Sequence, residues 1–138
     1  MSSDAEDGQL KEVLSVDDCW DLLASEQLGR LITIAGGRPE IFPVNYGISG
    51  RAVYFKSAEG SKLASVAVAP KVAFEVDHRA DRVAWSVVIH GAARLVQSFG
   101  EMAALDELGI TPWELGGKYN YVAITADEIT GRRLFRTD

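Results

Sequence analysis

This sequence has few of the residues from which small proteins form disulfide bonds or metal sites. Its 138 residues include one cysteine, Cys19, and two histidines, His78 and His90. A lone cysteine excludes a disulfide framework within the chain and a multi-cysteine metal site. Neither histidine has a cysteine or a carboxylate at the spacing typical of zinc sites. We therefore expect no metal centre.

Long apolar runs and an excess of positive charge are also missing. A membrane-spanning helix needs about 20 consecutive apolar residues, and the nearest approach, residues 83–89, is interrupted by Ser86. The first residues are polar and acidic, unlike a secretory signal peptide. The formal net charge is −6, whereas a nucleic-acid-binding domain usually has a basic face. These features favour a cytoplasmic protein that binds neither a membrane nor a nucleic acid.

The common catalytic motifs are absent as well. The sequence contains no Gly-rich phosphate-binding loop, no dinucleotide-binding fingerprint and no G-x-S-x-G nucleophile elbow. Cys19 falls on the apolar stripe of a predicted helix, and His90 falls in an apolar strand, where a histidine is more often structural than catalytic. A chain without a recognisable group of catalytic side chains is typical of a protein whose bound cofactor carries out the reaction.

The composition, 47% hydrophobic and 25% charged, is that of one globular domain. We expect residues 1–14 to form a flexible acidic tail and residues 15–138 to form the domain. Ser15, with Asp18 three residues later, predicts the start of a helix that ends by Gly29. Two further helices are predicted at residues 61–68 and 99–108.

Six strands are predicted at residues 30–35, 38–46, 52–56, 71–77, 84–97 and 119–125, with residues 78–83 as a charged loop. The pairs Gly36-Gly37 and Ser49-Gly50 are typical hairpin turns, and Gly91 predicts a bulge or a close backbone approach. Strands linked by hairpins form antiparallel sheet. Since few helices are available to cover two sheet faces, we expect the sheet to close into a small barrel.

One constellation indicates an anion site. Lys56 and Ser57 end a strand, and Ser61 and Lys62 begin a predicted helix four residues later. A helix N-terminus presents free backbone N–H groups, so a bound phosphate would take these groups together with the serine hydroxyls and lysine ammoniums. The alternative is a solvated loop whose lysines bind nothing.

Two other positions allow a functional or a structural interpretation. Asn45 is a poor strand former, and its amide could hydrogen-bond the edge of a heterocycle; it could equally be a turn residue before Gly47. Trp85 begins a strand, where a tryptophan usually belongs to the core or to an interface.

Several short segments occur along the chain in a specific order: GRL at 29–31, PVNY at 43–46, VYFKSAEGSKL at 53–63, VAFEVD at 72–77, WSVV at 85–88, GAA at 91–93 and ITGRRL at 129–134. Their order and spacing resemble the pyridoxamine 5'-phosphate oxidase-like proteins, which have the FMN-binding split-barrel fold. The resemblance covers roughly residues 16–134, and its closing segment is similar to the end of small actinobacterial members.

This resemblance implies a mainly β protein, a six-stranded antiparallel split barrel with flanking helices, and a homodimer with two cofactor sites at its interface. It places Ser61 and Lys62 on the FMN phosphate, with Lys56 and Ser57 near the phosphate or the ribityl chain. It also implies that the isoalloxazine ring is lined by Val44, Asn45 and Phe55, with Trp85 and Trp113 reaching over from the partner subunit.

The function implied is that of an FMN-binding oxidoreductase that transfers a hydride to or from an unidentified small molecule. Two departures from the family's sequence pattern narrow this expected function. The chain lacks the basic and histidine residues with which true pyridoxamine phosphate oxidases hold the substrate phosphate, so a vitamin B6 enzyme is not expected. The 5-nitroimidazole reductases of this superfamily tend to carry histidine at the position of Lys56, so their particular reaction is not expected of this chain either.

Three alternatives stay open at this point. The first is a reductase that uses a deazaflavin coenzyme, whose polyanionic tail would need Lys71, Arg79 and Arg82. The second is a flavin carrier without turnover. The third is a dimeric barrel that holds no flavin, or holds haem as some relatives do.

Overall fold

Eight strands and two helices make up the described part of the chain, which comprises residues 5–6, 9–61, 69–113 and 117–137 of a computed structural model. In chain order they are β1 (Ala5–Glu6), β2 (Gln9–Val13), α1 (Val16–Ala24), β3 (Leu28–Ala35), β4 (Arg38–Ser49), β5 (Ala52–Ala58), β6 (Ala69–Arg79), β7 (Val83–Leu95), α2 (Phe99–Asp106) and β8 (Tyr119–Arg136).

Six of these strands close into a barrel. Antiparallel pairing runs in the order β8, β5, β4, β3, β6, β7, and β7 pairs again with β8 to complete the ring. Closure removes the open edges that a flat sheet would expose. The predicted mainly β fold, a six-stranded antiparallel barrel with flanking helices, is confirmed.

Local sequence signals explain the tightest turns. Gly36 and Gly37 have φ angles of 59° and 75°, the left-handed values of a two-residue hairpin turn, and join β3 to β4 where Ala35 pairs with Arg38. The Ser15 hydroxyl accepts a hydrogen bond of 3.1 Å from the Asp18 N–H, so the predicted helix N-terminus is confirmed.

Several predicted boundaries are wrong. Residues 9–13 form β2, which pairs with residues 132–136 of β8, and Leu14 is buried; the flexible tail predicted over residues 1–14 is therefore too long. β8 continues to Arg136 instead of ending at residue 125, and His78 and Arg79 belong to β6 instead of a loop. These errors share one cause, because charged residues on a strand's outer face look like loop residues in the sequence.

The helices are shorter than expected. α1 ends at Ala24, where the N–H of the C-cap residue Ser25 donates to the Leu22 carbonyl oxygen, and α2 ends at Asp106, two residues before the predicted end. The helix predicted over residues 61–68 lies outside the described residues except for Ser61.

The core has two parts. The barrel interior is filled by side chains such as Phe55, Phe74 and Ile89, and Cys19 of α1 packs against the same cluster. A second cluster lies between α2 and the outer face of β5 and β8. Within the described ranges, no helix is long and apolar enough to span a membrane, and no three metal-ligating side chains are grouped to hold an ion.

Candidate functional site

Strand alternation separates the predicted site residues into two sets. Val44, Phe55 and Ser57 face the barrel interior and are buried, whereas Asn45 and Lys56, on the same two adjacent strands, face outward and are partly exposed. The side chains of Val44 and Phe55 belong to the core cluster. A molecule on the outer face of β4 and β5 would therefore meet Asn45 and Lys56 but not these two side chains.

Asn45 is held by the segment that follows α2. Its side-chain amide donates a hydrogen bond of 2.8 Å to the Thr111 carbonyl oxygen. The carbonyl oxygen and the second N–H of that amide have no partner among the described residues, so they are available to a ligand.

A cleft of about 290 Å³ opens beside Asn45. Its walls are the end of α1 with Glu26 and Gln27, residues 45–48 of β4, and residues 108–111. No cationic side chain of the described chain lines it. The cleft therefore offers no counter-charge for a substrate phosphate.

Lys56 lies over an aromatic ring. Its ammonium is 5.4 Å from the centre of the Tyr121 ring, a cation–π distance. The Tyr121 hydroxyl donates a hydrogen bond of 2.6 Å to Asp106 Oδ1 at the end of α2. Burial, and then the Asp106 carboxylate, raise the pKa of Tyr121, so the phenol stays a donor at neutral pH.

Ser57 contributes a buried hydroxyl at the end of β5. Ser57 is 1% exposed, and its Oγ has no hydrogen-bond partner in the described structure. A tight turn follows, in which the Ser61 N–H donates to the Ala58 carbonyl oxygen over 3.1 Å. The Glu59 N–H donates to the Lys118 carbonyl oxygen over 2.9 Å, which brings Lys118 beside this turn. Lys62 lies outside the described residues.

The two predicted tryptophans lie in different environments. Trp85 is buried in the core of its own barrel, with its ring stacked on His78 at a centroid distance of 6.3 Å. Trp113 is 64% exposed and follows Thr111 by two residues. The structure thus brings Trp113, but not Trp85, to the region of Asn45.

The cations proposed for a deazaflavin tail do not form one groove. Lys71 and Arg79 are eight positions apart on β6, which corresponds to about 26 Å along an extended strand. From the strand pairing, Lys71 lies toward the barrel end where β5 finishes, whereas Arg79 and Arg82 lie toward the opposite end.

Sequence reasoning missed four groups at this site: the Thr111 carbonyl, Asp106, Tyr121 and Lys118. Thr111, Tyr121 and Lys118 each lie more than 45 positions from the strand residue or turn that they meet, Asp106 lies 15 positions from Tyr121, and no motif links any of these pairs. Alternation along β8 could have placed Tyr121 on the outer face, but no signal in the sequence pairs it with Lys56.

Comparison with known proteins identifies the family. A profile of the pyridoxamine 5'-phosphate oxidase family matches residues 15–133. An uncharacterised Mycobacterium tuberculosis protein is 33% identical over 85 residues, which cover 62% of this chain and 77% of that protein.

Two solved structures have the same fold at similar identity. A Corynebacterium glutamicum protein assigned to the pyridoxamine 5'-phosphate oxidases is 38% identical, with a TM-score of 0.83 over 93% of this chain and 95% of that one. An FAD-binding protein from Mycobacterium smegmatis is 39% identical, with a TM-score of 0.80 over 90% and 97%. The profile match spans most of the chain, so this protein belongs to the pyridoxamine 5'-phosphate oxidase-like family of split-barrel proteins.

Proposed function

We propose that this protein is a flavin-dependent oxidoreductase that binds the riboflavin 5'-phosphate portion common to FMN and FAD. The observation that carries the proposal is the unpartnered Ser57 hydroxyl. A buried hydroxyl without a hydrogen bond costs about 1–3 kcal/mol, so such groups usually have a partner. Ser57 lies at the end of β5, four residues before Ser61 and five before Lys62, so a phosphate bound at this end of the barrel would supply the missing acceptor. The FAD-binding relative at 39% identity supports a flavin.

The protein's own residues would bind and orient the cofactor. Ser57, Ser61 and Lys62 would hold the phosphate, and Lys56 would place a positive charge on the outer face of β5. Asn45 would hydrogen-bond the ring edge, and the exposed Trp113 ring could stack on the ring of either subunit. Val44 and Phe55 would support this face from the core. When bound, the flavin supplies hydride transfer.

A homodimer forms part of this proposal. The outer face of the β3–β4 hairpin carries Ile34 and Ile41, which are 71% and 63% exposed, with Pro39 paired beside Ile34. Exposed apolar surface of this kind marks an interaction site. We propose that a second copy of the chain covers this face.

Equilibrium titration of the apo-protein with FMN, FAD and the deazaflavin coenzyme, followed by cofactor fluorescence, tests the proposal. We expect one flavin per chain and no comparable deazaflavin binding, because Lys71 and Arg79 are far apart. Lys62→Ala should weaken flavin binding by about 1.5–3 kcal/mol, the value of a charge-assisted hydrogen bond. Lys11→Ala, on β2, is the matched control and should bind normally. Absence of binding to either flavin would refute the proposal.

Turnover separates an enzyme from a flavin carrier. The flavin-loaded protein should reduce a quinone or a nitroaromatic compound in steady state when a chemical or nicotinamide donor reduces the flavin. A protein that binds flavin stoichiometrically but accelerates no reduction above free flavin would be a carrier.

A further inference from the structure

A single segment, residues 99–113, is linked to both outward-facing polar residues of the candidate site, directly to Asn45 and through Tyr121 to Lys56. Asp106, the last residue of α2, accepts the hydrogen bond from the hydroxyl of Tyr121, whose ring lies under the Lys56 ammonium. Five residues later, the Thr111 carbonyl accepts the hydrogen bond from Asn45. The position of α2 is therefore linked to both side chains.

The Tyr121 ring is fixed on two sides. It is 7% exposed and packs in the cluster beneath α2 with Leu105 and Ile110. Its hydroxyl hydrogen bond has a charged acceptor and a length of 2.6 Å, which makes it one of the stronger kinds of side-chain contact. The ring cannot turn without breaking that bond or disturbing the packing.

Lys56 depends on this ring for its position. Lysine is long and flexible, and ordering it costs conformational entropy. Within the described ranges Lys56 forms no ion pair, so no carboxylate neutralises its charge. The face of the Tyr121 ring is the contact that holds its ammonium group. An ammonium held in this way can act on an anionic group at the outer face of β5.

We propose that Tyr121 is a positioning residue for Lys56 and that Asp106 fixes its ring, so that α2 sets where this positive charge meets the cofactor. The inference rests on the proposed flavin-binding function. It concerns a residue that touches Lys56 and not the flavin.

The apo-protein gives the first test. In a protein labelled with ¹³C-lysine, the Lys56 side-chain protons should be shifted upfield by the ring, and Lys56→Met identifies their signal. The shift should vanish in Tyr121→Leu and should be smaller in Tyr121→Phe, which keeps the ring but loses the hydrogen bond to Asp106. An unshifted Lys56 signal in the native protein would overturn the proposal.

Flavin binding gives the second test, as a double-mutant cycle on folded variants. Lys56→Met and Tyr121→Leu should each raise the flavin Kd by at least about two- to fivefold, the range of a partly exposed cation–π contact. The double variant should bind as Lys56→Met does, because Tyr121 acts through Lys56. The flavin reduction potential should follow the same pattern, and Tyr121→Phe, which loses only the hydrogen bond to Asp106, should have an affinity between those of the native protein and Tyr121→Leu.

Tyr54→Leu is the matched control. Tyr54 lies under α2 on the same face, donates to Glu101 over 3.3 Å and has no cation–π contact with Lys56. Its effect on binding should add to that of Lys56→Met. Additive effects for Tyr121→Leu as well would refute the positioning role while native flavin binding stands. No flavin binding by the native protein would instead refute the proposed function and this inference with it.

Discussion

A Cβ atom added to Gly91 would lie 1.8 Å from the carbonyl oxygen of Thr125. Gly91 is in β7 and Thr125 is in β8, at the point where the register between these strands shifts after His90. The bulge and close backbone approach expected from the sequence are thus confirmed. The β7–β8 pairing closes the barrel, so a substitution that disturbs this contact should destabilise the whole fold.

Gly91→Ala should destabilise the protein severely. A methyl group cannot fit against a backbone carbonyl, so closure must shift, and we expect a loss of about 3 kcal/mol or more in the free energy of unfolding. Urea denaturation measures it. Gly100→Ala is the control: its Cβ would have only the Ser98 hydroxyl nearby, at 3.7 Å, and it lies in α2, where alanine favours helix. Equal stability of the two variants would contradict the clash.

Ser57→Ala should have opposite effects on stability and on binding. In the apo-protein it removes a buried hydroxyl without a partner, so the free energy of unfolding should stay unchanged or rise by up to about 1–3 kcal/mol. Flavin affinity should fall because the phosphate loses a donor. Thermal unfolding and flavin titration measure the two effects.

Thr33→Val serves as the control for Ser57→Ala. The Thr33 hydroxyl is also buried without a partner, on β3. This variant should affect stability in the same direction and leave flavin affinity unchanged. If both variants bind flavin normally, Ser57 does not contact the cofactor.

Stability should depend on pH through Glu75. Arg30 donates hydrogen bonds of 2.8 Å to both Glu75 and Asp77. Burial, and then the neighbouring Asp77, raise the pKa of Glu75 to about 7, while the hydrogen bond with Glu75 lowers the pKa of Asp77. The folded state then binds a proton at Glu75 more tightly than the unfolded state does.

The free energy of unfolding should therefore decrease as pH rises from about 5 to 8, since protonation of Glu75 favours folding only below its folded pKa. Asp77 acts in a more acidic range because its pKa is lowered. Denaturant titrations across this range should be flatter for Glu75→Gln, whereas Glu59→Gln, exposed in the turn after β5, should keep the native slope. A native slope in Glu75→Gln would contradict the assignment.

Replacing Ile34 and Ile41 with lysine should convert the proposed dimer to monomer. Each buried isoleucine contributes about 1.5–3 kcal/mol, so the dissociation constant should rise at least about tenfold. Light scattering after gel filtration gives the mass. Phe99→Lys, on α2 and 86% exposed, tests whether any exposed apolar residue has this effect and should leave the dimer intact. A native protein that is already monomeric would remove this face from the proposal.

The sequence predicted best what depends on neighbours along the chain. Gly36-Gly37 makes a hairpin turn because glycine adopts positive φ without strain, and Ser15 caps α1 because its hydroxyl reaches the Asp18 N–H. Phe55 and Phe74 lie in strands that the sequence predicted at residues 52–56 and 71–77, and both side chains belong to the core. Family resemblance supplied the barrel topology as an expectation, and the pairing of the strands confirms it.

Tertiary structure decided which candidate residues could meet. Strand alternation sent Asn45 and Lys56 outward and Ser57 inward, but the partners of the outward pair come from residues 106–121, far along the chain. The second half of β8 forms a strand because it pairs with β7, and β2 forms one because it pairs with the end of β8, although their charged residues resemble a loop and a tail. A strand makes its hydrogen bonds, and a side chain makes its contacts, with other segments of the chain. Composition and spacing therefore predict where helices and strands form, but only closure of the barrel brings the residues of the site together.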